Sequence, residues 1–204
     1  NEFISCGKLD DLAMVHAGIK GLINSKVNRK TNVMILFDNE EVGSQTKQGA
    51  ASPMLRTVLE RICLSLGGDR EDFYRSLSNS FLISADMAHG VHPNYVEKQD
   101  PTNRPVINGG PAIKLSANQA YTTDSISSTV YESICKVAGV PVQKFVNRSD
   151  ERGGSTIGPI SSTQLDIPSV DIGNPILSMH SVRELGGVDD HYYLYKSFIE
   201  YYNY

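Results

Sequence analysis

Val33-Met34-Ile35-Leu36-Phe37, followed by Asp38-Asn39-Glu40-Glu41-Val42-Gly43-Ser44, is the stretch that decides how the fold is read. An unbroken apolar run of this length predicts a buried strand. The two adjacent carboxylates stand at its exit, where they repel one another and lose hydration. A metal ion would compensate them, one carboxylate binding the ion while its neighbour stays free to move protons. A solvated acidic turn accounts for an isolated Glu-Glu pair just as simply. Here, however, Asp10, Asp86 and His180 occupy similar strand-end or turn contexts.

Outward from that strand, extended and helical patterns alternate. Phe3–Cys6 reads as a short extended segment, and Leu12, Val15, Ile19 and Leu22 predict a helix with these residues on its apolar face. Asn24, Ser25, Lys26, Arg29 and Lys30 make a turn before the strand. A second helix is expected to begin at Ser52-Pro53, to carry Leu55, Val58, Leu59, Ile62 and Leu66, and to stop at Gly67-Gly68. Residues 81–85 read as another buried strand, delivering Asp86. Further strands are expected over 111–115, 140–146 and 167–172, with helices over 124–137, after the loop 153–159, and over 189–202. Residues 90–105 are polar, proline-bearing and loop-like. The expected class is α/β: a mixed, largely parallel sheet with helices on both faces, without repeats or an interdomain linker.

Composition narrows the function. The chain has 204 residues, 40% of them apolar and 21% charged, which suits one substantial domain with a real core. A net charge of −4 argues against nucleic acid or an anionic membrane as the main partner, and no apolar run reaches membrane-spanning length. Cys6, Cys63 and Cys135 are odd in number and widely spaced in apolar surroundings. They read as inert core thiols of a reducing compartment, and no pair has zinc-finger spacing. The chain opens on Asn1 with no signal-peptide pattern and reaches a candidate site within ten residues, so a piece of a longer protein is expected.

In open α/β sheets, binding sites lie at the carboxyl ends of strands. Asp10, Glu40, Glu41 and Asp86 follow extended apolar segments, and His180 follows the strand ending near Ile172 through a turn. A carboxylate-rich set with one imidazole suits zinc, manganese or cobalt better than a thiolate site does. Two such ions about 3.5–4 Å apart need a bridging carboxylate. Asp10, at a helix start, is the candidate bridge and His180 a candidate terminal ligand. His16, beside the apolar face of the first helix, reads as structural and His191 as solvated. His89 and His92, just after Asp86, are candidates for contacting substrate or a carboxylate. Lys114 reads as an exposed charge at a strand end, and Tyr121 as a surface or interface residue.

The segments Gly7-Lys8-Leu9-Asp10-Asp11-Leu12, Asp38-Asn39-Glu40-Glu41-Val42-Gly43-Ser44, Ser84-Ala85-Asp86-Met87-Ala88-His89, Val91-His92-Pro93-Asn94-Tyr95, Thr156-Ile157-Gly158-Pro159 and Met179-His180-Ser181-Val182-Arg183-Glu184 run in order over nearly the whole chain. Together they resemble the M18 family of metallo-aminopeptidases, the aspartyl aminopeptidases and their relatives. The resemblance implies a zinc-exopeptidase-like catalytic domain holding two divalent ions, zinc first and manganese or cobalt as alternatives. Asp10 would bridge both ions, Glu41 and His180 would bind one, and Asp86 the other. Glu40 matches the family's general base, while His89, Lys114 and Tyr121 match positions around the substrate. Lys114 would suit an acidic side chain or a developing oxyanion.

The family's upstream His-Xaa-Asp segment, which supplies a metal ligand, has no match here. Neither has its inserted domain, which builds the dimer and lends a substrate-contacting His. Residues 1–204 therefore resemble the carboxyl-terminal part of the catalytic domain. The same resemblance implies a cytoplasmic, homo-oligomeric full-length enzyme that removes amino-terminal residues, Asp and Glu among them, from peptides. Two alternatives stand beside it: a two-metal amidohydrolase of N-acyl amino acids, and a non-catalytic assembly subunit with a degenerate site. Lys114 and Tyr121 favour the aminopeptidase over the first, and the Glu40-Glu41 pair speaks against the second.

Overall fold

The computed structural model describes residues 2–26, 29–151 and 153–204. Asn1 and the middle of the turn expected before residue 33 lie outside the described residues. In chain order the elements are β1 (Phe3–Cys6), α1 (Leu9–Asn24), α2 (Met54–Ser65), α3 (Arg70–Ser78), β2 (Leu82–Ala85) and β3 (Ala88–His89). There follow β4 (Ala112–Leu115), α4 (Ser125–Ala138), β5 (Gln143–Val146), α5 (Gly158–Leu165), β6 (Ser169–Gly173), β7 (Pro175–Leu177), β8 (Glu184–Gly187) and α6 (Val188–Asn203).

The expected α/β class is borne out, with the strands divided between two mixed sheets ordered β2-β6-β4-β5 and β1-β8-β7-β3. In the first, β2 runs parallel to β6 and β4 parallel to β5, while β4 and β6 are antiparallel. In the second, β3 and β7 are parallel and the β7/β8 and β1/β8 pairs antiparallel. β6 is buried along its whole length. Its alternating side chains settle what packs on each face. Val170 and Ile172 join Ile113, Tyr131, Cys135, Leu194 and Phe198 in the main core, which α1, α4 and α6 cover. Asp171 points the other way, toward α5. There it accepts hydrogen bonds from the Thr122 amide (2.6 Å) and the Thr156 hydroxyl (2.8 Å).

Three expectations are corrected. First, α1 buries the small residues Ala17, Gly18 and Gly21 with Met14, while Leu12 is 58% exposed and Ile19 37%. Small residues let α6 approach closely: a Cβ on Gly21 would lie 2.7 Å from Phe198 Cβ. The helix–helix seam thus takes the small stripe, and Leu12 and Val15 line a cavity instead.

Second, residues 33–37 are not a strand. A strand needs a neighbour, and β2, which could supply one, pairs with β6 alone. The segment is tied instead to α6, by Asn32 Nδ2 to the Tyr202 carbonyl (2.9 Å) and by the Tyr202 hydroxyl to Met34 Sδ (3.4 Å). Together with Leu59 and Ile62 of α2, and with Phe81 and Leu82, it lines a mainly apolar cavity of about 720 Å³ that also reaches Asp10, Asp11, Glu40, Glu41 and Asp86. Third, of the cysteines only Cys135 is buried, its thiol pushed up to about 12 by burial; Cys6 is exposed and Cys63 half-buried.

The pattern missed α3, whose start is fixed by a reciprocal cap. Asp69 accepts from the Asp72 amide and Asp72 from the Asp69 amide. Among the described residues no helix is long and apolar enough to cross a membrane.

Candidate metal centre

Separate loops deliver the acidic residues and the imidazole. Asp10 and Asp11 open α1 with non-helical backbone (φ −84°, ψ 106° and φ −116°, ψ 16°), preceded by Lys8 at φ 60°. Asn39, at φ 60°, turns the chain into Glu40 and Glu41. That turn is closed by the Gly43 amide donating to the Glu40 carbonyl and the Ser44 amide to the Asn39 carbonyl, both at 2.9 Å. Asp86 leaves the carboxyl end of β2, and His180 (φ 64°) lies in the turn between β7 and β8. Left-handed backbone at non-glycine residues is costly, and its recurrence around one site is a mark of positions held for a purpose.

These loops converge. His180 Nε2 lies 2.9 Å from Asp10 Oδ2 and 3.1 Å from Glu41 Oε2. Candidate ligand atoms of Asp10, Glu41 and His180 all fall within 4.8 Å of one another, and so do those of Asp10, Asp11 and Asp86. Asp10 belongs to both groups. Asp11 was not singled out in the sequence, although its adjacency to Asp10 was the available signal. Asp10 Oδ1 and Asp11 Oδ1 are buried and, among the described residues, accept no hydrogen bond.

Such crowding shows in the proton affinities. Burial, then the charges of Asp86 and Glu41, push Asp10 up to about 8, against a smaller opposing pull from His180. Burial and the charges of Asp86 and Asp10 hold Asp11 well above the carboxylate range. Glu40 is pushed up to about 7 by burial, Asp86 and Glu41. Burial lowers His180, but the charges of Glu41 and Asp10 outweigh it and leave the imidazole above its ordinary value. Crowded carboxylates raised by burial and by one another, with two orphaned buried oxygens among them, fit a divalent metal. The oxygen-rich donor set with one nitrogen fits zinc, manganese or cobalt.

The neighbouring candidates divide. Lys114 is not an exposed strand-end charge: its Nζ is buried and lies 3.0 Å from Asp86 Oδ2. Desolvation opposes its charge, but Asp86 and Asp171 more than offset that and raise it. Tyr121 is buried rather than superficial, with Lys114 Nζ 5.5 Å from its ring centre and its hydroxyl accepting from Asn147 Nδ2 at 3.2 Å. His89 ends β3 with its ring tilted against Phe145, and is lowered by desolvation and by the charges of Lys114 and His180. His92 turns away, accepting from the Asn94 amide at 3.1 Å and resting on Tyr95. His191 is not simply solvated: it stacks on His16, with ring nitrogens 2.9 Å apart.

With this geometry in place, comparison with known proteins decides the family. Residues 1–202 match the family model described as aminopeptidase I zinc metalloprotease (M18). The chain belongs to the M18 family. Over 203 residues it is 68% identical to a probable M18 family aminopeptidase 2 of Clostridium novyi (strain NT), covering 100% of this chain and 47% of that protein. Among solved structures, a crystal structure of prApe1 shares 32% identity at a TM-score of 0.90, over 100% of this chain and 44% of that one. The S. cerevisiae mApe1 dodecamer shares 31% at 0.86, over 100% and 46%. This M18 chain thus spans about half the length of the curated relatives it matches.

Proposed function

We propose that this M18 chain is the carboxyl-terminal part of the catalytic domain of a two-metal aminopeptidase. The observation that carries the reading is Asp10, common to two groups of ligand atoms that otherwise share no residue. In this reading Asp10 would be shared by the two metal positions, Glu41 and His180 would hold one ion, and Asp86 would hold the other. Zinc is the first choice for both, manganese and cobalt being acceptable to the same donors. When bound, the ions lower the pKa of water and polarise the scissile carbonyl.

The remaining chemistry belongs to the chain. Glu40, poised near 7 and adjacent to Glu41, takes a proton from the attacking water and returns it to the leaving amine. Lys114 is paired with Asp86 and lies over the Tyr121 ring, and the family resemblance assigns Lys114, Tyr121 and His89 to positions around the substrate.

The apolar cavity between residues 33–37 and the free edge of β2 supports the partial-domain reading. In this reading an upstream segment would enter this cavity, whose walls also include Asp10, Asp11, Glu40, Glu41 and Asp86, and would bring the further metal ligand that the family resemblance implies. A homo-oligomeric, cytoplasmic full-length enzyme acting on peptides completes the proposal, the mApe1 dodecamer being the supporting likeness for assembly.

The test is hydrolysis of aspartyl- and leucyl-anilides with added zinc, manganese or cobalt, beside Glu40→Gln, first with this chain and then with the upstream segment supplied. Hydrolysis that disappears in Glu40→Gln while metal stays bound supports the reading. Hydrolysis that survives the substitution refutes it. N-acyl amino acids in the same panel test the amidohydrolase alternative.

A further inference from the structure

Glu184 begins β8 and pairs with Cys6 of β1, the strand that leads into Asp10. Its side chain is 1% exposed. One carboxylate oxygen, Oε2, accepts from the Asp10 amide at 3.0 Å, and the other, Oε1, from the His180 amide at 2.7 Å. Among the described residues no salt bridge reaches this carboxylate. Neither amide belongs to a regular ladder: Asp10 is non-helical at the head of α1, and His180 sits in a turn with left-handed backbone.

We infer that Glu184 is a positioning residue whose single carboxylate clamps the main chains of Asp10 and His180, so that their side chains meet at 2.9 Å. The chemistry of the side chain supports this. Two inward-pointing N–H groups require a group that only accepts, with two separate oxygens. Gln offers one acceptor and would turn its NH2 toward the other donor. Asp is one methylene shorter and cannot span both. Burying a carboxylate without a cation is expensive, so a fold needing only apolar packing here would not use one. The clamp joins positions 170 residues apart in sequence, on which the metal reading of the preceding section rests.

Two readouts test it in this chain. In the metal-free wild type, the Asp10 and His180 amides exchange with solvent deuterium slowly, and Glu184→Gln speeds both by about tenfold or more, while the β1/β8 ladder amides stay protected. With zinc measured by chelator competition, Glu184→Gln weakens affinity by about 10- to 100-fold, and Glu184→Asp, which keeps the charge, also weakens it. Rapid exchange of either amide in the wild type overturns the clamp without any variant. So does zinc affinity unchanged in Glu184→Gln, or restored in full by Glu184→Asp. Uniform loss of protection across β1 and β8 would show a merely structural role and overturn it too. A wild type that exchanges as expected yet binds no zinc leaves the clamp standing and refutes the metal reading instead.

Discussion

Raising the pH of the metal-free chain from 6.5 to 8 should destabilise it. In the unfolded chain Asp10 and Glu40 have lost their protons well below that window, at the ordinary values of 3.8 and 4.5. Folded, Asp10 keeps its proton to about 8 and Glu40 to about 7. The native state therefore binds more protons than the unfolded one, and stability falls as pH rises. At about 1.36 kcal/mol per proton per pH unit, and discounted because both groups are part-exposed and solvent screens them, Asp10 and Glu40 together contribute a loss of about 1 kcal/mol. Asp11 and His180, both raised, act in the same direction. His89 and His191 are lowered and act oppositely, an effect that fades as pH rises past their ordinary 6.5, where the unfolded imidazoles lose their last protons. For a chain of this size the loss corresponds to a fall in Tm of about 2–4 °C. Thermal melts followed by circular dichroism in excess chelator, at matched ionic strength, measure it. Adding zinc should reverse the slope, because its ligands bind deprotonated. A chelated chain melting equally or higher at pH 8 would refute the picture of a proton-holding acidic cluster.

Lys114→Met leaves Asp86 without its cation and should cost about 3 kcal/mol in metal-free urea unfolding; an unchanged midpoint would show that the pair is not sustained. Gly158→Ala places a Cβ 2.6 Å from Asp171 Oδ1, and should cost about 1–3 kcal/mol by the same measurement. Glu41→Ala should lower the zinc content of the purified chain, read by atomic emission, while Glu40→Gln leaves it intact. Equal loss in both would refute the division of labour between these neighbours.

Much of the framework was legible in the sequence because local patterns and tertiary structure agree. β2, β4, β6, α4 and α6 lie close to where apolar runs, caps and periodicity place them, and Asp86 leaves β2 as expected. What was misread needed information from partners distant in sequence. The Leu12 stripe of α1 looks like a core face until Phe198 chooses the glycine side. Residues 33–37 have strand composition, yet a strand is a property of two segments. β7 and β8 are short and glycine- and proline-bearing, with little periodicity to read. In the candidate site, Asp10, Glu41, Asp86 and His180 were nameable from their strand-end contexts and motifs. Asp11 hid behind its neighbour. Glu184 stood in the 179–184 segment without a role, since nothing in a single sequence shows which two amides a buried carboxylate will meet.

The place of Asp10 in both ligand groups has a consequence for any metal titration. Under the proposed two-metal reading, one carboxylate would serve both ions, so the two positions would not have separate intrinsic affinities. Filling either one would compete with protons for Asp10, and by reciprocity each ion would alter the other's binding by the same factor. A binding isotherm for this chain should therefore be fitted with macroscopic stepwise constants and an interaction factor, and proton release should be concentrated in the first step. Stoichiometry measured at one subsaturating metal concentration would describe the coupling rather than the number of places.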